Sequence, residues 1–306
     1  MSDARVDVVV VSFNRRELLA RCCESVAALG EQVHLIVVDN ASEDGSADMV
    51  QQRFPEASLI RSQRNLGFGG AANRGAAAGN AELLLFLNSD AQLLEGGYEA
   101  LASALLSNSK TAAVGPHLAD EHGRTELSVG RTLSLSNEAW FKILGSAYEA
   151  RLPLLHGIVD RRYERARQTR SLSAACLLLR REAFDQLGGF DERFFLYAED
   201  VDLCLRLVRA GWHLRYVSEA RVRHRRGASA AVRPLMTEHW YRRSQIAFYE
   251  KHRSRLALTC LRVYLRVRYA LLSRFGDSDR RQRAQAVADS LRGAPDATPS
   301  VTTGDR

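Results

Sequence analysis

Short apolar runs alternate with amphipathic stretches through the first half of the chain. Val6 to Ser12 (VDVVVVS) is an almost unbroken β-branched run, the pattern of a parallel strand buried on both faces. Glu17 to Leu29 has apolar residues at helical spacing and is followed by Gly30, a C-cap residue. His34 to Val38 reads as a second strand running into Asp39, then a loop over Asn40 to Gly45 and a helix from Ser46 to Phe54, stopped by Pro55. Ser58 to Arg61 is a third strand, Ala71 to Ala78 a helix and Glu82 to Leu87 a fourth strand. This alternation predicts βαβ units, hence an α/β fold whose mostly parallel sheet is flanked by helices. Ligands of such sheets bind beyond the carboxyl ends of the strands, where Asp39, Arg64 to Gly70 and Asn88 to Asp90 fall.

The second half is patterned less evenly. After an apolar run over Ala112 to Pro116, residues 117–170 are irregular, carry a basic cluster over Arg161 to Arg170, and read as an insertion over the site. Regular patterning resumes with an apolar run over Ala174 to Leu179, a turn at Gly188-Gly189 and a helix from Glu199 to Ala210 closed by Gly211. Two further helices are predicted, over Met236 to Glu250 and Arg255 to Phe275, and the tail from Gly293 has the composition of a disordered segment. The expected organisation is a domain over 1–250, with a nucleotide-binding half (1–116) and an acceptor-binding half (117–250). A basic amphipathic helix (251–276) and a disordered tail (277–306) follow.

Composition narrows the class. The chain has 306 residues, 46% hydrophobic and 26% charged, as in an ordinary folded soluble protein. No long uncharged apolar run suggests a spanning helix, and Met1 to Asp7 lacks the basic start and apolar core of a secretory signal. The five cysteines form no C-x-x-C pair. They read as small buried hydrophobes in a reducing cytoplasm rather than as a disulfide framework or zinc site. The net charge of +7 is uneven, with 22 Lys and Arg against 9 Asp and Glu in residues 201–306. Nucleic acid, an anionic membrane surface or a phosphorylated ligand would each suit that excess. No helix-turn-helix, RRM or zinc pattern supports nucleic acid. The helix over Arg255 to Phe275, whose leucines and valines are interrupted by five arginines, suits contact with a membrane surface. It equally suits a helix packed on a neighbouring domain with solvated arginines.

Four segments carry candidate chemistry. Leu87-Asn88-Ser89-Asp90 ends an apolar strand with a carboxylate that can hold a hard divalent cation against phosphate oxygens; alone, it reads as an Asx-turn. Arg64-Asn65-Leu66-Gly67-Phe68-Gly69-Gly70 is a glycine-rich loop leading into a helix, a place where backbone N–H groups approach phosphate, although many loops share its composition. Glu199, Asp200 and Asp202 crowd the start of an amphipathic helix beside Phe194 to Tyr197. Capping accounts for one or two acids there, and a general base towards a hydroxyl accounts for the rest equally well. His224, inside Arg221 to Gly227, is either a surface histidine of a basic loop or a ligand to metal or phosphate.

The order of these pieces is more specific than any one of them. Val-Ser-Phe-Asn (11–14), Val-Asp-Asn-Ala-Ser-Glu-Asp-Gly-Ser (38–46), Arg-Asn-Leu-Gly-Phe-Gly-Gly-Ala-Ala-Asn-Arg-Gly (64–75), Leu-Asn-Ser-Asp (87–90), the stretch 187–206 with Tyr-Ala-Glu-Asp-Val-Asp-Leu-Cys, and His224 follow in turn. The series, over roughly residues 5–250, resembles glycosyltransferase family 2. These are inverting enzymes of the GT-A, Rossmann-like fold, and the nearest resemblance is to the rhamnosyltransferases of cell-wall and O-antigen lipid-linked intermediates. The resemblance implies that Ser12, Asn14, Asp39, Arg64, Asn65, Gly67, Asn88 and Asp90 bind the nucleotide-sugar. It also implies that Asp200 is the catalytic base with Glu199 in support, and that Asp90 and His224 hold Mn²⁺ or Mg²⁺. The implied donor is dTDP-L-rhamnose and the implied acceptor a glycan on a polyprenyl diphosphate. The implied location is the cytoplasm, peripheral at the inner membrane face. Asn88 replaces the first acid of the family's D-x-D motif; an inactive nucleotide-binding scaffold in a glycan-assembly complex is the competing expectation.

Overall fold

The computed structural model describes residues 5–130, 132–150, 153–225 and 234–275, together with 281, 284, 287 and 288. Contacts divide the chain into two compact units, Met1–Ala228 and Ser229–Arg306. The second unit thus begins before the helix expected over Met236 to Glu250, not at residue 251. The tail expected to be disordered lies almost wholly outside the described residues.

The first unit is a sheet covered by helices. Its elements open with β1 (Val6–Ser12), α1 (Arg16–Ala27), β2 (Val33–Asp39), α2 (Ser46–Arg53), β3 (Ser58–Arg61), α3 (Gly67–Ala77) and β4 (Leu83–Asn88). These match the predicted strands and helices closely, except that α3 begins at Gly67 and absorbs half of the glycine-rich loop. Next come β5 (Ala91–Leu93), α4 (Gly97–Leu106), β6 (Thr111–Ala119), α5 (Leu135–Glu149), α6 (Pro153–Tyr163) and β7 (Arg167–Thr169). The unit closes with β8 (Cys176–Arg180), α7 (Arg181–Gln186), α8 (Glu199–Arg209) and β9 (His213–His224). The segment read as irregular therefore contains two helices, the first capped by Ser134, whose hydroxyl accepts from the Asn137 N–H at 3.1 Å.

The strand order is β3-β2-β1-β4-β8-β6-β9-β5, with β7 also on β9. The pairs β1–β2, β1–β4, β2–β3 and β6–β9 are parallel, whereas β4–β8, β5–β9, β6–β8 and β7–β9 are antiparallel. The mostly parallel sheet expected from βαβ alternation is thus confined to β3-β2-β1-β4. Beyond β4 the sheet is mixed, because helical crossovers impose parallel pairing only where they link neighbouring strands. Alternate residues of β1 feed two cores. Val6, Val8 and Val10 join Leu19 and Cys23 of α1 and Leu101 of α4, whereas Val9 joins Ala72 of α3 and Leu203 and Leu207 of α8. At the amino-terminal end of β1, buried Asp7 pairs with Arg181 at 2.6 Å and His34 at 2.9 Å. That pairing locks the end opposite the expected site.

In the second unit, α9 (Pro234–His252) and α10 (Arg255–Phe275) meet through buried Leu261, Leu265 and Tyr269. Buried Arg242 donates through Nε to the Tyr269 hydroxyl at 3.1 Å, and that hydroxyl donates to Glu238 at 2.6 Å.

Candidate active site

The carboxyl ends of β1, β2 and β4 lie side by side: Ser12 is in register with Asp39, and Val11 with Asn88. The Ser12 hydroxyl, Asp39 Oδ1 and the Ser62 hydroxyl just beyond β3 are buried without a hydrogen-bond partner. Buried polar atoms left this way cost stability unless a partner satisfies them. Asp39 Oδ2 accepts from the Ser42 N–H at 3.1 Å. Asn14, with φ of 52°, accepts from the Glu43 N–H at 2.8 Å, and its own N–H donates to the Ser42 hydroxyl at 3.0 Å. Asn14 thus braces the loop that follows β2. Ser62 and Asn40 escaped the sequence reading: a lone serine after a short strand gives no signal, and Asn40 was read as ordinary loop.

The glycine-rich segment plays a different part from the one expected. The Leu66 N–H donates to Asn40 Oδ1 at 2.8 Å, the Gly67 N–H to Asn65 Oδ1 at 2.9 Å and the Phe68 N–H to the Phe195 carbonyl at 3.0 Å. These three donors are taken within the fold. Gly67 has φ of 74°, and a Cβ there would stand 2.1 Å from the Phe195 carbonyl oxygen, so glycine is required for close approach of two backbones. Asn65 serves the same junction, and Arg64 is exposed.

Short β5 pairs antiparallel with the end of β9, setting Ala91 opposite His224. His224 therefore ends a strand; it does not sit in the basic loop considered for it. Asp90 Oδ1 lies 3.3 Å from His224 Nε2, and Asn88 Nδ2 lies 3.4 Å from the same nitrogen. On the other side, His224 Nδ1 donates to Glu126 Oε2 at 2.7 Å. Burial alone would lower the histidine's pKa, but hydrogen bonds and charge from Asp90 and Glu126 outweigh it and raise the value to about 10. A cation would displace the Nε2 proton, and Asp90 and His224 would then offer the oxygen and imidazole donors that suit Mn²⁺ or Mg²⁺. Among the described residues no three His, Cys, Asp or Glu converge on a metal site. The donors present thus fit a cation shared with substrate phosphates, not one fully caged by protein.

The three acids of α8 have separate fates. Asp202 is buried and pairs with Arg206 at 2.7 Å, and Arg206 also donates to the carbonyls of Leu187 at 3.0 Å and Gly189 at 2.8 Å, so this acid staples the helix. Glu199 is buried with Oε2 unpartnered; burial first, and then the charge of Asp200, push its pKa well above the carboxylate range. Asp200 is half-buried and accepts from the Ala174 N–H at 3.3 Å and the Val201 N–H at 2.7 Å. Tyr197 and Ala198, with φ of 67° and 72°, precede it in the left-handed region. Together with Asn14 and Ala41, they are the non-glycine residues with positive φ among those described. All four flank the site, where such strain concentrates.

Residues 7–188 match the model of Glycosyl transferase family 2, and residues 119–283 that of Glycosyl transferase family group 2. The chain is 35% identical over 240 residues to the N-acetylglucosaminyl-diphospho-decaprenol L-rhamnosyltransferase of Mycobacterium tuberculosis, covering 74% of this chain and 78% of that one. It is 28% identical to the O-antigen biosynthesis protein RfbC of Myxococcus xanthus, over 74% of this chain and 18% of that one. Among solved structures, the fold is shared with the mannosyltransferase PcManGT of Pyrobaculum calidifontis in complex with GDP-Man and Mn²⁺. The TM-score is 0.53 at 17% identity, covering 96% of this chain and 76% of that one. It is also shared with GalNAc-T7 bound to UDP, GalNAc and Mn²⁺, with a TM-score of 0.54 at 15% identity over 72% of this chain and 43% of that one.

Proposed function

Because this chain belongs to glycosyl transferase family 2, we propose that it is an inverting, metal-assisted transferase that moves L-rhamnose from dTDP-L-rhamnose to a hydroxyl of a polyprenyl-diphosphate-linked glycan. The observation that carries this reading is the juxtaposition of Asp90 with His224 at one strand end, joined through Ala174–Ala175 to Asp200. Asp200 Oδ2 accepts from the Ala174 N–H, and the Ala175 carbonyl accepts from the Asn88 N–H at 3.0 Å. The rhamnosyl donor and lipid-linked acceptor follow the Mycobacterium tuberculosis relative, an L-rhamnosyltransferase acting on N-acetylglucosaminyl-diphospho-decaprenol.

The chemistry needs few groups. Asp200 takes the proton of the acceptor hydroxyl as its oxygen attacks C1 of the donor sugar, while the bond from C1 to the nucleoside diphosphate breaks with inversion. Asp39, Ser12 and Ser62 hold the nucleotide. Asp90 and His224 would hold Mn²⁺ or Mg²⁺, which supplies charge stabilisation to the departing diphosphate. Burial and the charge of Asp200 raise the pKa of Glu199, which disfavours a second charge beside Asp200.

The acceptor implies a surface. On α10, Leu256, Val263, Val267, Leu271 and Phe275 are each more than half exposed and follow one another at helical spacing on the side opposite Leu261, Leu265 and Tyr269. Arg255, Arg262, Arg266 and Arg268 flank the stripe. This arrangement suits a helix lying in an anionic membrane interface, and it supports peripheral attachment at the inner face of the cell membrane. Among the described residues no helix is long and apolar enough to cross a membrane. Cys260 is also exposed, which corrects the expectation that all five cysteines are buried; Cys22, Cys23, Cys176 and Cys204 are.

A donor panel tests the reading. dTDP-L-rhamnose, UDP-glucose, UDP-GlcNAc and GDP-mannose are compared for binding and for metal-dependent nucleoside diphosphate release with a lipid-linked acceptor. Selective release from dTDP-L-rhamnose is expected; binding without release across acceptors would favour the scaffold.

A further inference from the structure

The carboxylate on the far side of His224 comes from the segment expected only to cover the site. After β6 ends at Ala119, Asp120 closes a tight turn by accepting from the His122 N–H at 2.8 Å and the Arg124 N–H at 2.9 Å. Ala119 bridges to Thr125, and the Glu126 N–H returns to the Leu118 carbonyl at 2.9 Å. Leu118 is paired with Val222 of β9, so this hairpin lays Glu126 beside the last residues of that strand. The Glu126 and His224 side chains are only 12% and 10% exposed, and their 2.7 Å contact is shorter than the 3.3 Å one to Asp90.

We infer that Glu126 is the positioning residue of His224: by taking Nδ1–H, it leaves Nε2 as the nitrogen that faces Asp90 and the cation. An imidazole presents two nitrogens, and which one ligates is decided by the partner of the other. A buried carboxylate in that role also fixes the plane of the ring and raises its basicity as a ligand. The inference rests on the metal-assisted reading above. Glu126 itself is not a ligand, because it meets the nitrogen turned away from Asp90.

The test measures Mn²⁺ affinity of the full chain with dTDP present, by the electron paramagnetic resonance signal of free Mn²⁺, and needs no turnover. Glu126→Ala is expected to weaken binding about 10- to 100-fold. Glu126→Gln, whose carbonyl still accepts from Nδ1–H, is expected to recover most of that loss. In a His224→Ala background, Glu126→Ala is expected to add nothing, since its action passes through the histidine. Should Glu126→Ala not fold, Glu126→Asp, which keeps the charge but shortens the reach to Nδ1, is expected to weaken binding in the same direction. Unchanged affinity in folded Glu126→Ala or Glu126→Asp, or an equal further loss in the His224→Ala background, would overturn the positioning role alone. A wild-type chain that retains no Mn²⁺ would remove the metal reading itself, and the positioning role with it.

Discussion

Asp200 and Asn88 hydrogen-bond to consecutive residues of one segment, the former to the Ala174 N–H at 3.3 Å and the latter to the Ala175 carbonyl at 3.0 Å. That segment leads into β8, which pairs with β4 along Leu83–Leu87. The two ends of the proposed site are therefore tied to one strand pair. An in-line displacement requires its two ends to keep a fixed separation, which this tie supports.

The junction between α3 and the loop before α8 depends on Gly67. Gly67→Ala adds a Cβ 2.1 Å from the Phe195 carbonyl oxygen at a residue with φ of 74°. The expected cost is at least about 2 kcal/mol of stability, with kcat lowered because Phe195 leads to Tyr197, Ala198 and Asp200. Urea unfolding and steady-state kinetics check this; wild-type values in both would show that the two backbones are free to separate.

At the carboxyl end of β2, Asp39 Oδ1 is buried without a partner while Oδ2 braces Ser42. Asp39→Asn preserves the shape and one acceptor for that brace but replaces the charged acceptor. Nucleotide affinity is expected to fall about 10-fold or more, the worth of a hydrogen bond to a charged group, with little change in thermal stability. Calorimetric titration with dTDP reads the first, and equal affinity would move the nucleotide elsewhere.

Glu199 is a carboxyl whose pKa is raised in the fold by burial and by the charge of Asp200. Its sign follows directly: its contribution to stability is fully present below the ordinary carboxylate range and is lost as pH rises through the elevated folded value. Glu199→Gln is expected to fold and turn over, and to hold its melting temperature better than wild type as pH rises above the ordinary carboxylate range. Parallel pH profiles for the two proteins would contradict a raised Glu199 pKa.

Asp202, by contrast, is architectural. Asp202→Ala strands the Arg206 guanidinium, and breaking a buried pair of this kind costs about 3 kcal/mol or more. The folded fraction is expected to keep wild-type kcat. A collapse of kcat at unchanged stability would place Asp202 in the chemistry.

Much of this was legible in the chain. The β-branched run of β1, the punctuation of β2 and β3, and the acid-rich start of α8 depend on local pattern, and the ordered motifs pointed to Asp39, Asp90, Asp200 and His224. What local pattern does not carry is pairing. β9 alternates buried and exposed positions from Ala220 to His224, a period of two that was available in Ala-Arg-Val-Arg-His but masked by its arginines. Its pairing with β5, which delivers His224 to Asp90, joins segments far apart in sequence. Glu126 was hidden for the same reason, since the hairpin that returns it to His224 is a long-range consequence of the β6–β9 pairing. The glycine-rich stretch shows the same limit, because composition marks close backbone approach without saying that the Phe195 carbonyl makes it at Gly67.

The central claim is that Asp200 is the base of an inverting sugar transfer, and Asp200→Asn addresses it directly. The substitution keeps size and one acceptor for the Ala174 and Val201 N–H groups while removing the proton-accepting charge. Donor affinity and single-turnover transfer are measured together, with dTDP-L-rhamnose and a polyprenyl-diphosphate-linked GlcNAc acceptor. The account predicts donor affinity within about twofold of wild type and transfer slowed by about 10²- to 10⁴-fold, the usual contribution of general base catalysis. Transfer at a near-wild-type rate, with the donor bound normally, would contradict it.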